Sequence, residues 1–100
     1  MTVQKLELPL GEISSLCSRY HVHELAIFGS FQRGESRPES DIDFLVDFLP
    51  EAEIGFLALS KMQRELAELL HRAVDLVPKA GLKPAIRKEI LADAYVIYAV

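Results

Sequence analysis

Cysteine is nearly absent. Cys17 is the one cysteine in 100 residues, which excludes an internal disulfide and a multi-cysteine zinc site and fits a reducing cytoplasm. It falls in line with Ile13, Leu16 and Tyr20 at offsets of three, four and seven, and reads as a core filler. Positive charge is short as well: eleven Lys and Arg stand against fifteen Asp and Glu, for a net charge of −4. The surface as a whole repels nucleic acid, so no direct nucleic-acid binding is expected. Long apolar runs are missing. No stretch approaches the roughly 20 residues of a membrane span, and an N-terminus carrying Glu7 and Glu12 is no signal peptide, so a cytoplasmic protein is expected. No internal repeat or low-complexity linker divides the chain. One domain, 1–100, is expected, with room for a core but none for a second domain that binds an acceptor.

What is present gathers around one stretch. Leu25-Ala26-Ile27-Phe28 is a strand candidate with no polar residue, as in a strand covered on both faces. It stops at Gly29-Ser30, where the backbone can turn sharply and offer free N–H groups, either as a plain turn or as a phosphate cradle. Ser30 can cap a short helix through Gln32 and Arg33 that ends at Gly34. Arg33 and Arg37 follow, and an Arg fork suits phosphate oxygens, although a surface Arg is commonly just solvated. Pro38 forbids a helix running on into the next element.

That next element is a strand from Ile42 to Phe48. Asp41 and Asp43 share its parity with Leu45 and Asp47, while Ile42, Phe44, Val46 and Phe48 take the other parity and face the core. Two carboxylates on one face repel unless a cation sits between them, and hard oxygen ligands suit Mg²⁺ or Mn²⁺. Asp47 lies roughly 13 Å further along the strand, too far for the same ion. An exposed strand start is the plainer reading of Asp41 and Asp43.

A helix over Ile13–Tyr20 precedes the stretch. His21 and His23 read as polar residues of a connector, with metal ligation as the lesser alternative. After an acidic turn, Gly55 to Arg72 is the longest helix, with Leu59, Met62, Leu66, Leu69 and Leu70 as its core stripe. Ala73 to Val77 is a third strand, in which Asp75 is the one charged residue and needs a metal or an arginine as partner if it is buried. Pro84 opens a last helix, Ala85 to Asp93 or Ala94, with Ile86, Ile90 and Leu91 expected to face inward. Tyr95 to Val100 is a β-favouring tail that either adds an edge strand or stays exposed as a partner surface. These elements make an α/β two-layer domain with a small mixed sheet and helices packed on it.

Gly29-Ser30, Arg33-Gly34 and Ser40-Asp41-Ile42-Asp43 together resemble the signature of the minimal nucleotidyltransferases of the polymerase-beta-like superfamily. Many of these are antitoxins of toxin–antitoxin pairs whose toxin is a HEPN-domain ribonuclease. The resemblance implies a nucleotidyltransferase fold and transfer of AMP from ATP to a tyrosine of the HEPN toxin. By the same resemblance Asp41, Asp43 and Asp75 are the catalytic carboxylates and ligands of two Mg²⁺ ions, with Gly29, Ser30 and Arg33 binding the nucleotide. A non-catalytic antitoxin that acts by stoichiometric binding, and a transferase acting on a small molecule, are the alternatives.

Overall fold

The computed structural model describes residues 8–29 and 41–100. Over them run α1 (Leu10–Arg19), β1 (Val22–Phe28), β2 (Ile42–Phe48), α2 (Phe56–Leu70), β3 (Val74–Pro78), a 3-10 turn (Lys79–Gly81), α3 (Pro84–Asp93) and β4 (Tyr95–Ala99). The short helix expected from Ser30 to Gly34, with Arg33, Arg37 and Pro38, lies outside the described residues.

The four strands form one mixed sheet in the order β3-β2-β1-β4. β1 pairs antiparallel with both β2 and β4, and β3 runs parallel to β2. A parallel neighbour requires a crossover, and α2 is that crossover. It starts after Gly55 and stops where His71 adopts a left-handed conformation, φ 55°, two residues short of the expected end at Arg72.

The apolar spacing of each element decides what is buried. Ile13, Leu16 and Cys17 of α1 meet Met62, Leu66 and Leu70 of α2 over Leu25 and Ile27 of β1, Ile42, Phe44 and Val46 of β2, and Val74 and Leu76 of β3. Complete burial of side chains such as Phe44 and Leu66 stabilises the fold by about 1.5–3 kcal/mol each. Burial pushes the Cys17 thiol up to about 12, as befits a core filler. The two helices are tied at their solvent edge: Arg19 Nη2 donates to Glu65 Oε1 at 2.9 Å and the Tyr20 hydroxyl to Glu65 Oε2 at 2.5 Å.

Three expectations are corrected. β1 begins at Val22, three residues before the expected Leu25, because a register shift between Val22 and Glu24 breaks the two-residue alternation that marks a strand in sequence. Leu45, placed by parity with the polar positions, is buried at 4% exposure. It pairs with the equally buried Ala26, so the sheet face opposite the main core is apolar at its centre. In α3, Ile86 and Leu91 do not face inward; they are 45% and 39% exposed. α3 contributes no buried residue, because α1 and α2 already fill the core.

The C-terminal tail is the edge strand β4. Its inner side pairs with β1, while Tyr95, Val96 and Val100 are exposed.

Candidate active site

Phe28, the last residue of β1, lies opposite Asp43 of β2, and Asp43 in turn lies opposite Asp75 of β3. Ile42 and Phe44 point into the core, so Asp43 points to the opposite face, and its in-register parallel neighbour Asp75 shares that face. Two carboxylates therefore stand side by side at the usual strand spacing of about 4.8 Å. Asp43 is half-buried, and Asp75 is exposed.

That exposure removes one premise of the sequence reading. Asp75 is not a carboxylate buried within an apolar strand: β3 is an edge of the sheet, and the side of it that carries Asp75 is open. The strand is pinned next to it by the Gln63 side chain of α2, whose Oε1 accepts the Leu76 N–H at 2.8 Å. Asp41, one residue ahead of β2, is exposed. Its neighbour Ile42 is anchored through its N–H to the Ala73 carbonyl at 3.0 Å.

Gly29 closes the site on the β1 side. Its φ of +83° is a conformation that side-chain-bearing residues rarely adopt. A Cβ added there would run into the Asp43 carboxylate, with Cγ at 3.3 Å and Asp43 Cβ at 3.5 Å. A bare backbone is thus required twice over, by the turn and by the approach of Asp43. Ser30 and Arg33, the other expected nucleotide-binding residues, lie outside the described residues.

The structure thus brings Gly29, Asp43 and Asp75 into a row across three strand ends, with Asp41 at the entrance to β2. Among the described residues, no group of three or more His, Cys, Asp and Glu side chains converges as a metal site, and His21 and His23 are both exposed. The donor set nevertheless fits a divalent cation. Adjacent hard carboxylates repel in the absence of positive charge, and Mg²⁺ prefers one or two carboxylates supplemented by water and phosphate over an all-protein cage.

One residue of this corner was not found by sequence reasoning. Asp93, the last residue of α3, accepts the Gly29 N–H on Oδ2 at 2.9 Å. A signal for it was present: a carboxylate at a helix C-terminus opposes the helix dipole and calls for a compensating partner.

The comparisons with known proteins bear on the family and the fold. The nucleotidyltransferase domain family matches residues 13–97. Protein adenylyltransferase MntA of Thermococcus cleftensis is 37% identical over 94 residues, which cover 93% of each chain. Two solved structures share the fold. One, a toxin–antitoxin with AMP-PNP, has a TM-score of 0.78 at 21% identity, over 93% of this chain and 75% of that one. The other is a tri-AMPylated Shewanella oneidensis HEPN toxin in complex with its MNT antitoxin, with a TM-score of 0.68 at 19% identity, over 91% of this chain and 70% of that one. A left-handed glycine at the end of one strand, paired acidic residues on the next two and a family match across the same elements have one common explanation: the chain belongs to the nucleotidyltransferase domain family.

Proposed function

We propose that the chain is an Mg²⁺-dependent protein adenylyltransferase that acts in the cytoplasm as an antitoxin, transferring AMP from ATP to a tyrosine of a HEPN ribonuclease toxin and so neutralising it. The observation that carries this reading is the in-register pair Asp43 and Asp75 beside the left-handed Gly29 turn. The relatives support it by their names: one is a protein adenylyltransferase, and one complex holds an AMPylated toxin.

In this reading Asp41, Asp43 and Asp75 hold the divalent cations, which when bound neutralise the charge of the triphosphate and of the leaving group. The turn at Gly29 and Ser30, with Arg33, receives the phosphates. The acceptor's phenolic oxygen forms a bond to the α-phosphorus of ATP as the bond from that phosphorus to the α,β-bridging oxygen breaks, and pyrophosphate leaves. The phenolic proton passes to a carboxylate, a role this reading gives to Asp75, which is open to a hydroxyl arriving from a second protein. The product is a phosphodiester of tyrosine and AMP.

The test is mass spectrometry of a HEPN toxin co-expressed with this chain, beside a pull-down for complex formation. Wild type adds adenylate to a toxin tyrosine; Asp75→Asn loses the addition and retains the complex. A toxin left unmodified by wild type and neutralised equally by Asp75→Asn would replace the enzyme with a stoichiometric binder.

A further inference from the structure

The hydrogen bond from Gly29 to Asp93 spans 64 residues of sequence, and the sheet explains how it arises. β1 and β4 are antiparallel, with Ile27 opposite Tyr95 and Ala26 opposite Val96. Continuing that register past the strand ends sets Phe28 opposite Ala94 and Gly29 opposite Asp93. The junction between α3 and β4 is therefore delivered to the glycine turn by strand pairing, and the final residue of α3 arrives with its carboxylate against the Gly29 N–H. Asp93 is half-buried and Gly29 likewise. Asp43 packs against the same glycine from the β2 side. The turn is held between two carboxylates, one from β2 and one from the end of α3.

We infer that Asp93 is a positioning residue for the nucleotide, acting through Gly29; the inference rests on the reading of this site as a nucleotidyltransferase centre. A bond between a charged acceptor and a backbone N–H is shorter and stronger than a neutral one, and it fixes the orientation of the peptide plane that carries it. In that reading the turn that opens at Gly29 receives the phosphates, and Asp93 holds the peptide at its start. Acting through Gly29, Asp93 contributes equally in the bound nucleotide and in the transition state. Its loss should accordingly weaken nucleotide binding and leave the chemical step unchanged.

The experiment uses the full chain and two variants, Asp93→Ala and Asp93→Asn. The Gly29 amide proton is followed by NMR, and AMP-PNP binding with Mg²⁺ is measured by calorimetry. In Asp93→Ala the Gly29 amide should shift upfield and exchange faster, and the AMP-PNP dissociation constant should rise by about tenfold. Asp93→Asn keeps a carbonyl acceptor, so its amide signal should remain close to wild type with an affinity loss of about threefold or less. The Asn variant also keeps the test alive if the Ala variant melts too low to study. Where transfer to a toxin is measurable, KM for ATP should rise in Asp93→Ala while kcat stays within about twofold of wild type. An unaltered Gly29 amide in Asp93→Ala overturns the inference, as does a released amide accompanied by wild-type affinity, which would make Asp93 a purely structural tie. AMP-PNP binding that tightens in Asp93→Ala also overturns it, since Asp93 would then be competing with the phosphate. Absence of binding by wild type itself overturns the nucleotide reading along with the inference, and is told apart from the other outcomes by the wild-type titration.

Discussion

Gly29→Ala tests the site at its tightest point. Placing an L residue at φ +83° costs about 1–2 kcal/mol. The new methyl group would also overlap the Asp43 carboxylate, whose Cγ lies 3.3 Å from the Cβ position, and turning Asp43 off its rotamer costs about 0.5–1.5 kcal/mol more. The sum is about 1.5–3.5 kcal/mol, and in a chain of this size each kcal/mol lowers Tm by ~4–8 °C, so a fall of about 6–28 °C is expected by calorimetry. Gly81→Ala is the control, because a Cβ there meets nothing within 4 Å; its Tm should stay within about 2 °C of wild type. A functional arm accompanies the thermal one. Displaced by the methyl group, Asp43 should no longer align with Asp75, and the rise in Tm on adding Mn²⁺ should shrink in Gly29→Ala and persist in Gly81→Ala. Equal melting temperatures and equal Mn²⁺ responses in the two variants would refute both the strain and the assignment of Asp43 to the site.

Mg²⁺ or Mn²⁺ should raise the Tm of wild type and leave that of an Asp41→Asn, Asp43→Asn double variant unmoved, while the double variant without metal melts at or above wild type because like charges have been removed. The clamp between α1 and α2 should show in the pH dependence of stability, followed by urea melts. The Glu65 carboxyl is held below its ordinary value of 4.5 by the hydrogen bond from Tyr20 and then by Arg19, so its contribution is present above pH 4.5 and disappears as pH falls through the lowered value. The Tyr20 hydroxyl is pushed above 10.0 by burial and then by Glu65, so its contribution is in place below pH 10 and disappears as pH rises through the raised value. Glu65→Gln should flatten both limbs and lower stability at neutral pH by about 0.5–1 kcal/mol, a modest figure for a partly exposed cluster; limbs as steep as those of wild type would contradict the clamp.

What could be read from the chain followed from local periodicity. β2 was legible from Ile42 to Phe48 because apolar and polar residues alternate along it, and α2 because Met62, Leu66 and Leu70 repeat at helical spacing. Asp41 and Asp43 stood out for the same reason, since two carboxylates at a spacing of two must share a face. The start of β1 was hidden by a register shift, which swaps the parity of its residues partway along. Leu45 was assigned to the polar side because parity cannot show that the second face is covered at its centre. Ile86, Ile90 and Leu91 have the spacing of a buried stripe, but whether a stripe is covered depends on what already fills the core. Asp93 lay furthest from reach: its place at a helix C-terminus hints that it needs a partner, but which partner follows only from the pairing of β1 with β4, segments almost seventy residues apart.

That pairing also imposes an order on how the molecule comes together. β2, α2 and β3 form a contiguous unit whose contacts close over short stretches of chain, and such contacts form early because little loop entropy opposes them. β1 sits between β2 and β4, and its second edge, together with the tie from Gly29 to Asp93, must wait for residues 93–99. At a synthesis rate of 5–20 residues per second, β1 precedes its last partner by roughly 4–14 s. During that interval the growing chain carries an incomplete sheet and a loosely held glycine turn, so competence to bind nucleotide should be acquired late, in step with the docking of β4.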